Sequence, residues 1–200
     1  KLAFHYIADD FDPLRKVYPF LSEVDYAPHV GKPISRIPCP CKTHPSYAEH
    51  FLAPFIESLQ KLDIQVEVKR SSELYASGQM DAAILTALGS RERIAQILHD
   101  HTGKNIEANW WPVNVICSHC HKMAGSAVES FDSAAGTITY SCDCGKSDEV
   151  TLAGNCKLTW RIDWPARWKV LGVTVEPFGK DHASRGGSYD TGAVIAREVF

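Results

Sequence analysis

Two neighbouring segments, residues 156–168 and 178–182, hold the side chains best suited to chemistry. The first contains three tryptophans and two arginines around an aspartate, and the second ends in the run Gly-Lys-Asp-His. A plain core segment has little use for so many large aromatic and charged groups, whereas a small-molecule site combines apolar walls with a few polar groups. The two segments therefore predict a ligand site.

The expected position of the Gly-Lys-Asp-His turn supports this prediction. Residues 173–178 are predicted to form a strand, so residues 179–182 would lie at its carboxyl end, where open α/β sheets bind ligands. Asp181 can accept hydrogen bonds from a ribose, and His182 can hydrogen-bond an amine or a phosphate. A loop with two glycines and a serine at residues 186–188 adds backbone donors for phosphate.

Each of these residues also has a purely structural explanation. Any one of the three tryptophans could be a core residue. His182 alone could be a hydrogen-bonded structural histidine. Asp163 precedes Pro165 at the expected start of a helix that Gly172 ends, and it could be only a helix cap. The combination, rather than any single member, favours a ligand site.

Four cysteines in two close pairs predict a metal site. Tetrahedral Zn²⁺ takes four soft ligands, and two pairs on two turns can supply them. The alternatives are unliganded buried thiols, or His119 or His121 in place of one cysteine. Four thiolates leave no open position for water, so we expect a structural Zn²⁺ rather than a catalytic one. The predicted ligands are Cys117, Cys120, Cys142 and Cys144.

The remaining cysteines give a weaker signal. Cys39 and Cys41 form another close pair, but no partner pair is evident, so we expect a loop with incidental cysteines. The chain has an odd number of cysteines, seven. An odd number in close pairs favours reduced thiols over a secreted disulfide framework, which predicts a cytoplasmic protein.

Apolar periodicity and capping residues predict the elements that position these groups. A strand is expected over residues 2–8, and Asp12 followed by Pro13 resembles the start of a helix. Ser46 begins a capping box that opens a helix to about residue 62, although Pro54 should kink it or shift its start. The other predicted elements are a loop at 27–45, a strand at 64–69, helices at 79–88 and 90–101, and a strand at 110–116. The fold class is an α/β domain interrupted by an inserted metal module at about 117–150, with both ends of the insertion returning to one sheet.

The overall composition is that of an ordinary globular chain. Its 200 residues are 44% hydrophobic and 22% charged, with a formal net charge of −3. This charge gives no general reason to bind nucleic acid or an anionic membrane, and no apolar stretch approaches the length of a bilayer span. The chain starts in a strand pattern and ends in a helix pattern, so we expect a segment of a longer protein with exposed sheet edges.

Several runs of sequence are specific enough to compare with known families, and the resemblance that they carry extends over essentially all 200 residues. They are residues 6–15 (YIADDFDPLR), 31–33 (GKP), 46–51 (SYAEHF), the cysteine knuckles, 157–168 (KLTWRIDWPARW), 176–183 (EPFGKDHA) and 187–192 (GSYDTG). These runs resemble the class I lysyl-tRNA synthetases, the form typical of archaea and some bacteria.

The resemblance implies a fold and an activity. Residues 1–26 and 156–200 would be the two halves of a Rossmann catalytic domain. Residues 27–155 would be a connective insertion that carries the zinc knuckles. The implied reaction joins lysine to ATP, supplied with Mg²⁺, as lysyl-adenylate, and then transfers the lysyl group to tRNA(Lys).

The resemblance also assigns roles to residues. Trp160 and His182 would line the lysine pocket, and Asp163 with Trp164 would shape its floor. Gly179 and Asp181 would contact the adenosine ribose. The further candidates for substrate contact are Lys180, Asp9 and Asp10.

Two features of the family pattern are missing from this chain. Its phosphate-handling signatures, similar to His-Ile-Gly-His and Lys-Met-Ser-Lys-Ser, do not occur, so we expect the chain alone to have little or no activity.

Two alternatives remain. One is a related class I synthetase for glutamate, which would need an arginine-lined pocket from Arg161 or Arg167. The other is a non-catalytic zinc-ribbon module that binds nucleic acid.

Overall fold

A computed structural model describes residues 3–200, which form short strands and helices. The strands are β1 His5–Ala8, β2 Glu67–Arg70, β3 Val113–Val115, β4 Ser126–Asp132, β5 Thr137–Cys142, β6 Ser147–Thr151 and β7 Cys156–Leu158. The α-helices are α1 Glu23–Tyr26, α2 Tyr47–Lys61, α3 Ser71–Ala76, α4 Asp81–Gly89, α5 Arg91–Thr102, α6 Trp160–Leu171 and α7 Ser188–Glu198. Within these residues, no helix is both long and apolar enough to cross a membrane.

The strands form three small sheets. β1 and β2 pair in parallel, with His5 opposite Glu67 and Ala8 opposite Arg70. β3 and β7 pair antiparallel, which joins the two chain segments on either side of the cysteine module. β4, β5 and β6 form an antiparallel meander within that module. The fold is therefore α/β, with one parallel strand pair among the described residues rather than a broad parallel sheet.

The main core lies between helices α4, α5, α6 and α7 and the β3–β7 pair. It includes Ile84, Ile94, Val115, Ile162 and Ile195, each at most 1% exposed. A second, smaller cluster consists of Leu14, Tyr26, Ile37 and Tyr47. Burial of these apolar side chains holds the helix that carries the tryptophans against the rest of the chain.

Several predicted helix boundaries agree with the structure. Ser46 caps α2, and its Oγ accepts a hydrogen bond from the Glu49 amide at 3.2 Å. α2 runs from Tyr47 through Pro54 to Lys61, so Pro54 does not shift the start of the helix. α5 ends at Gly103 and α6 ends at Gly172, and both glycines adopt the left-handed conformation that commonly terminates helices.

Near the amino end, one prediction is wrong and another falls partly outside the described residues. Asp12-Pro13 does not start a helix. The chain there pairs with residues 31–34 instead, because the Leu14 amide bonds Lys32 O and the Ile34 amide bonds Asp12 O, both at 2.9 Å. The predicted strand over residues 2–8 is confirmed from His5 onward, whereas residue 2 lies outside the described residues.

The predictions around the tryptophan segment also need correction. Residues 173–178 form no strand but an extended loop that crosses α6. Glu176 in this loop accepts hydrogen bonds from the indole N–H groups of Trp164 and Trp168. These side-chain bonds attach the segment to α6, whereas a strand would be attached by backbone hydrogen bonds to a neighbouring strand. α6 begins at Trp160, so Asp163 lies in its first turn and not ahead of it.

Candidate functional site

A row of tryptophans runs along one face of α6. Trp160, Trp164 and Trp168 are four residues apart, a spacing that stacks side chains on one face of a helix. The first two rings stack with centroids 5.4 Å apart, and the last two lie at 5.3 Å. Trp164 is 4% exposed, whereas Trp160 is 37% exposed and forms the open end of the row.

The Gly-Lys-Asp-His loop folds onto this row. The His182 ring lies 5.4 Å from Trp164 and 6.4 Å from Trp160, centroid to centroid. Phe178 packs edge-on against Trp164 at 5.7 Å. The structure therefore brings Trp160, Trp164 and His182 together, as the sequence predicts, with Lys180 and Asp181 exposed on the same loop.

The loop that follows His182 is clamped to α6 by polar contacts. Arg161 donates from Nη1 to the carbonyls of Gly186 and Gly187, both at 3.0 Å, and to Thr191 Oγ1 at 2.9 Å. The Trp160 indole N–H points to Ser188 Oγ at 3.3 Å. A β-carbon on Gly187 would lie 2.5 Å from the His182 carbonyl oxygen, so only glycine fits there.

Beneath the tryptophan row lies a cluster of buried charges. Asp163, Lys157 and Arg167 expose at most 3% of their side chains. Lys157 Nζ is 2.8 Å and Arg167 Nη2 is 3.1 Å from Asp163 Oδ2, and the Tyr75 hydroxyl donates to Asp163 Oδ1 at 2.7 Å. Asp163 therefore lies underneath the candidate pocket and is closed off from its surface. Burial alone would be costly for these charges, and mutual pairing offsets that cost.

Two further aspartates connect this charge cluster to the surface. Asp9 Oδ1 accepts from Arg167 Nη1 at 2.7 Å, and Asp12 Oδ1 lies 2.9 Å from Lys157 Nζ. Their side chains are 38% and 34% exposed. Burial raises the pKa of the Asp9 carboxyl, although Arg167 and Lys157 partly oppose the shift. Burial lowers the pKa of Lys157, but its pairing with Asp163 and Asp12 outweighs this effect and raises the pKa overall, which keeps the ammonium charged.

Asp9 borders an aromatic cleft, whereas its neighbour Asp10 is held by α3. A space of about 470 Å³ lies among Asp9, Asp12, Tyr18, Tyr47 and Phe51 and their neighbours. The Asp10 side chain is engaged on both oxygens, because Ser72 donates to it from its amide at 2.7 Å and from Oγ at 2.5 Å. Asp10 thus acts as a local support for the start of α3.

The four predicted zinc ligands converge. The sulfur atoms of Cys117, Cys120, Cys142 and Cys144 all lie within 4.8 Å of one another, and His119 and His121 do not belong to this set. Cys117 and Cys144 are 3.6 Å apart and Cys120 and Cys142 are 3.7 Å apart, sulfur to sulfur. Zn–S bonds of about 2.3 Å in a tetrahedron separate the sulfurs by about 3.8 Å. The geometry of the group fits a closed tetrahedral metal site.

A second group of metal-type ligands corrects the expectation for Cys39 and Cys41. These two sulfurs lie with His44 and His50 in one cluster whose ligand atoms are within 4.8 Å of one another. Cys41 Sγ is 3.2 Å from His44 Nδ1 and 3.1 Å from His50 Nδ1. The signal in the sequence was Cys-x-Cys-x2-His-x5-His, in which histidines replace the partner cysteines. A pattern made of two cysteine pairs does not include these histidines.

Hydrogen bonding lowers the pKa of one thiol in each group, whereas burial raises the pKa of Cys120 to about 12. The Thr43 hydroxyl and the neighbouring Cys39 lower the pKa of Cys41 to about 5. Burial raises the pKa of Cys117, but the backbone N–H groups of Cys120 and His119 outweigh it and lower the value to about 6. A thiolate is the form that binds metal, so each group contains at least one cysteine whose pKa favours binding of a cation.

Comparison with known proteins gives one consistent family. A family model described as tRNA synthetases class I (K) matches residues 1–200. The chain is 58% identical over 197 residues to a lysine–tRNA ligase of Methanosarcina barkeri strain Fusaro, covering 98% of this chain and 36% of the relative. It is 51% identical to the lysine–tRNA ligase of Archaeoglobus fulgidus and 46% identical to that of Methanocaldococcus jannaschii, with 98% of this chain covered in both and 39% and 37% of the relatives. The chain thus spans little more than a third of the length of these relatives.

Proposed function

Because the chain belongs to the family of class I tRNA synthetases (K), we propose that the protein containing it activates lysine with ATP and transfers the lysyl group to tRNA(Lys). The observation that carries this proposal is the open aromatic corner formed by Trp160, Trp164 and His182 above the buried charges. An aromatic wall beside carboxylates suits an alkyl ammonium through cation–π contact and charge pairing.

In this proposal the exposed site residues contact the substrates, and the buried ones support them from beneath. Trp160 and His182 contact the lysine, and Trp164 forms the floor of the pocket. Asp163 shapes that floor from beneath, and Asp9 supplies negative charge at the edge. Gly179 and Asp181 bind the adenosine ribose, and Lys180 is a further substrate contact on the same exposed loop. Asp10 is the candidate least suited to a substrate, since Ser72 engages both of its oxygens.

The chemistry proposed for these residues is positioning. Adenylate formation brings the lysine carboxylate to the α-phosphate of ATP, and no covalent nucleophile on the protein is needed. Mg²⁺ bound to ATP neutralises phosphate charge in this reaction. The aromatic row excludes water from one side of the lysine, and the clamped loop holds His182 and Asp181 in fixed relation to it.

The domain plan follows the same proposal. β1 would belong to a Rossmann sheet, with residues 1–26 and 156–200 in the catalytic domain. β2, which pairs with β1 in parallel, would be added to that sheet from the insertion. Residues 27–155 would be the connective insertion, which contains both ligand clusters. The four cysteines of the module at 117–150 and the Cys39–His50 cluster would each hold a structural Zn²⁺, because each offers four ligands and no open position.

One observation favours lysine over glutamate as the substrate. A glutamate pocket needs an arginine free to bind the side-chain carboxylate, and the sequence offers Arg161 and Arg167 near the site. Arg161 is engaged with Gly186 and Gly187 and with Thr191 of α7, and Arg167 is paired with Asp9 and Asp163. Both cations therefore already have partners.

The test is amino-acid-dependent ATP–pyrophosphate exchange by the full-length protein that contains this chain, with lysine and glutamate compared. We expect exchange with lysine that falls at least about 100-fold in Trp160→Ala and His182→Ala, because a substrate-positioning contact is worth that much when lost. Trp111→Ala and His99→Ala are the matched controls, since both residues lie outside the candidate site, and they should retain exchange.

Two results would contradict the proposal in different ways. Exchange with glutamate and not lysine would indicate the related synthetase. No exchange with any amino acid, in a protein that retains its metal, would favour the zinc-ribbon nucleic-acid-binding module.

A further inference from the structure

Tyr75 links the proposed insertion to the buried charges below the site. It lies on α3, is 0% exposed, and donates its hydroxyl to Asp163 Oδ1 at 2.7 Å. The hydroxyl oxygen of Tyr75 in turn accepts a hydrogen bond from the Leu158 amide at 3.1 Å. Burial and the nearby Asp163 carboxylate raise the pKa of Tyr75 well above its ordinary value, so the phenol stays protonated and acts as the donor.

Arg167 connects the buried Asp163 to the partly exposed Asp9. One end of its guanidinium lies 3.1 Å from Asp163 Oδ2, and the other donates to Asp9 Oδ1 at 2.7 Å. The same guanidinium lies 5.4 Å from the centre of the Trp160 ring. Arg167 thus contacts both the aromatic wall and the acidic edge of the proposed lysine site, and its own position depends on the buried carboxylate.

The charges in this cluster do not cancel. Three carboxylates, on Asp9, Asp12 and Asp163, face the cations of Lys157 and Arg167, which leaves one negative charge in excess. The buried members are fixed by several bonds, and the two partly exposed members are Asp9 and Asp12 at the cleft. The excess charge is therefore available at the surface, where a cation from solvent can reach it.

We propose that Tyr75 is a positioning residue for the lysine substrate. Its hydroxyl fixes Asp163, Asp163 fixes Arg167, and Arg167 sets the Asp9 carboxylate and Trp160 ring that bind the substrate ammonium. This inference rests on the proposed function and extends it to a residue that touches no substrate. It also explains why a side chain of the insertion is buried against the segment that carries the tryptophans.

The experiment compares steady-state exchange kinetics of the full-length protein with its Tyr75→Phe and Asp9→Asn variants. Phenylalanine keeps the buried ring and removes only the hydroxyl. We expect Tyr75→Phe to raise the KM for lysine about tenfold, the lower range for a lost hydrogen bond to a charged group, while the KM for ATP changes less than about twofold. A purely structural role would not separate the two KM values.

Tyr140→Phe is the matched control. Tyr140 is also 0% exposed, and its hydroxyl bonds Ser118 in the cysteine module, away from the charge cluster. It should leave both KM values unchanged, even if it lowers the thermal midpoint as much as Tyr75→Phe does.

Asp9→Asn tests the surface end of the same chain of contacts. We expect it to raise the KM for lysine, and we expect the double variant to be less impaired than the product of the two single effects, because both act through one network. An unchanged lysine KM in either single variant overturns the inference, as does a Tyr75→Phe protein that does not fold, which would make Tyr75 a stability residue only. Absence of lysine-dependent exchange in the parent protein would instead contradict the proposed function.

Discussion

At the scale of single residues, the buried carboxylate of Asp163 depends strongly on its neighbours to compensate its charge. It is 0% exposed, accepts hydrogen bonds from Tyr75 and Lys157, and forms an ion pair with Arg167. Asp163→Asn would leave two buried cations with less compensation, so we expect a loss of about 3–5 kcal/mol in the free energy of unfolding. Urea unfolding followed by tryptophan fluorescence measures this value. Asp181→Asn, at an exposed position on the nearby loop, should change it by less than about 0.5 kcal/mol, and equal values for the two variants would contradict the account.

The same residues show what a sequence can and cannot predict at this scale. The grouping of Trp160 with Trp164 was predictable from the family resemblance, although the helix that carries both was predicted to begin only after Asp163. The burial of Asp163 was not predictable, because its partner Tyr75 lies 88 positions away in the chain. Sequence patterns report local spacing, whereas the burial of Asp163 depends on a contact that only the tertiary fold creates.

At the scale of elements, the loop after His182 depends on glycine. A β-carbon at Gly187 would meet the carbonyl oxygens of His182 and Ser184 at 2.5 and 2.6 Å. Gly187→Ala should therefore displace the loop and reduce lysine-dependent exchange at least about tenfold, since small misplacements of binding groups are costly. Gly89→Ala is the matched control, because a β-carbon there meets nothing within 4 Å. Exchange that survives unchanged in Gly187→Ala would show that this loop does not position the site.

Elements with their own capping signals were predicted well, and those that need a distant partner were not. α2 begins after Ser46 and α5 ends at Gly103, where local hydrogen bonds and backbone conformation set the boundary. Residues 173–178 have strand-forming side chains, but Val175 is 86% exposed, and Glu176 bonds the tryptophan indoles instead. A strand needs a neighbouring strand, and the described residues provide none there.

At the scale of the whole molecule, two clusters each bring together four side chains that could hold a metal ion. We expect Cys41→Ser and Cys142→Ser each to lower the zinc content of the full-length protein by about one equivalent and to lower its thermal midpoint, because structural zinc stabilises the folded state that binds it. Metal analysis after gel filtration, with thermal unfolding, measures both effects. Cys156→Ala is the control, since Cys156 is buried outside both clusters and should leave the metal content unchanged. Full zinc content in Cys41→Ser would mean that the Cys39–His50 cluster holds no metal.

The α/β class of the molecule was predictable from the sequence, whereas the division of the chain into a catalytic domain and an insertion stays a prediction. The β3–β7 pair joins the segments on either side of the cysteine module. The second ligand cluster escaped the sequence analysis because its histidines come from a loop and from α2, next to a cysteine pair with unusual spacing.

The most direct test of the central claim is a crystal structure of the full-length protein with a non-hydrolysable analogue of lysyl-adenylate. The account predicts that the lysyl ammonium lies against Trp160 and His182 with Asp9 nearby, and that the ribose hydroxyls bond Asp181. An analogue bound elsewhere in the protein, with the corner between α6 and the 178–182 loop empty, would contradict it.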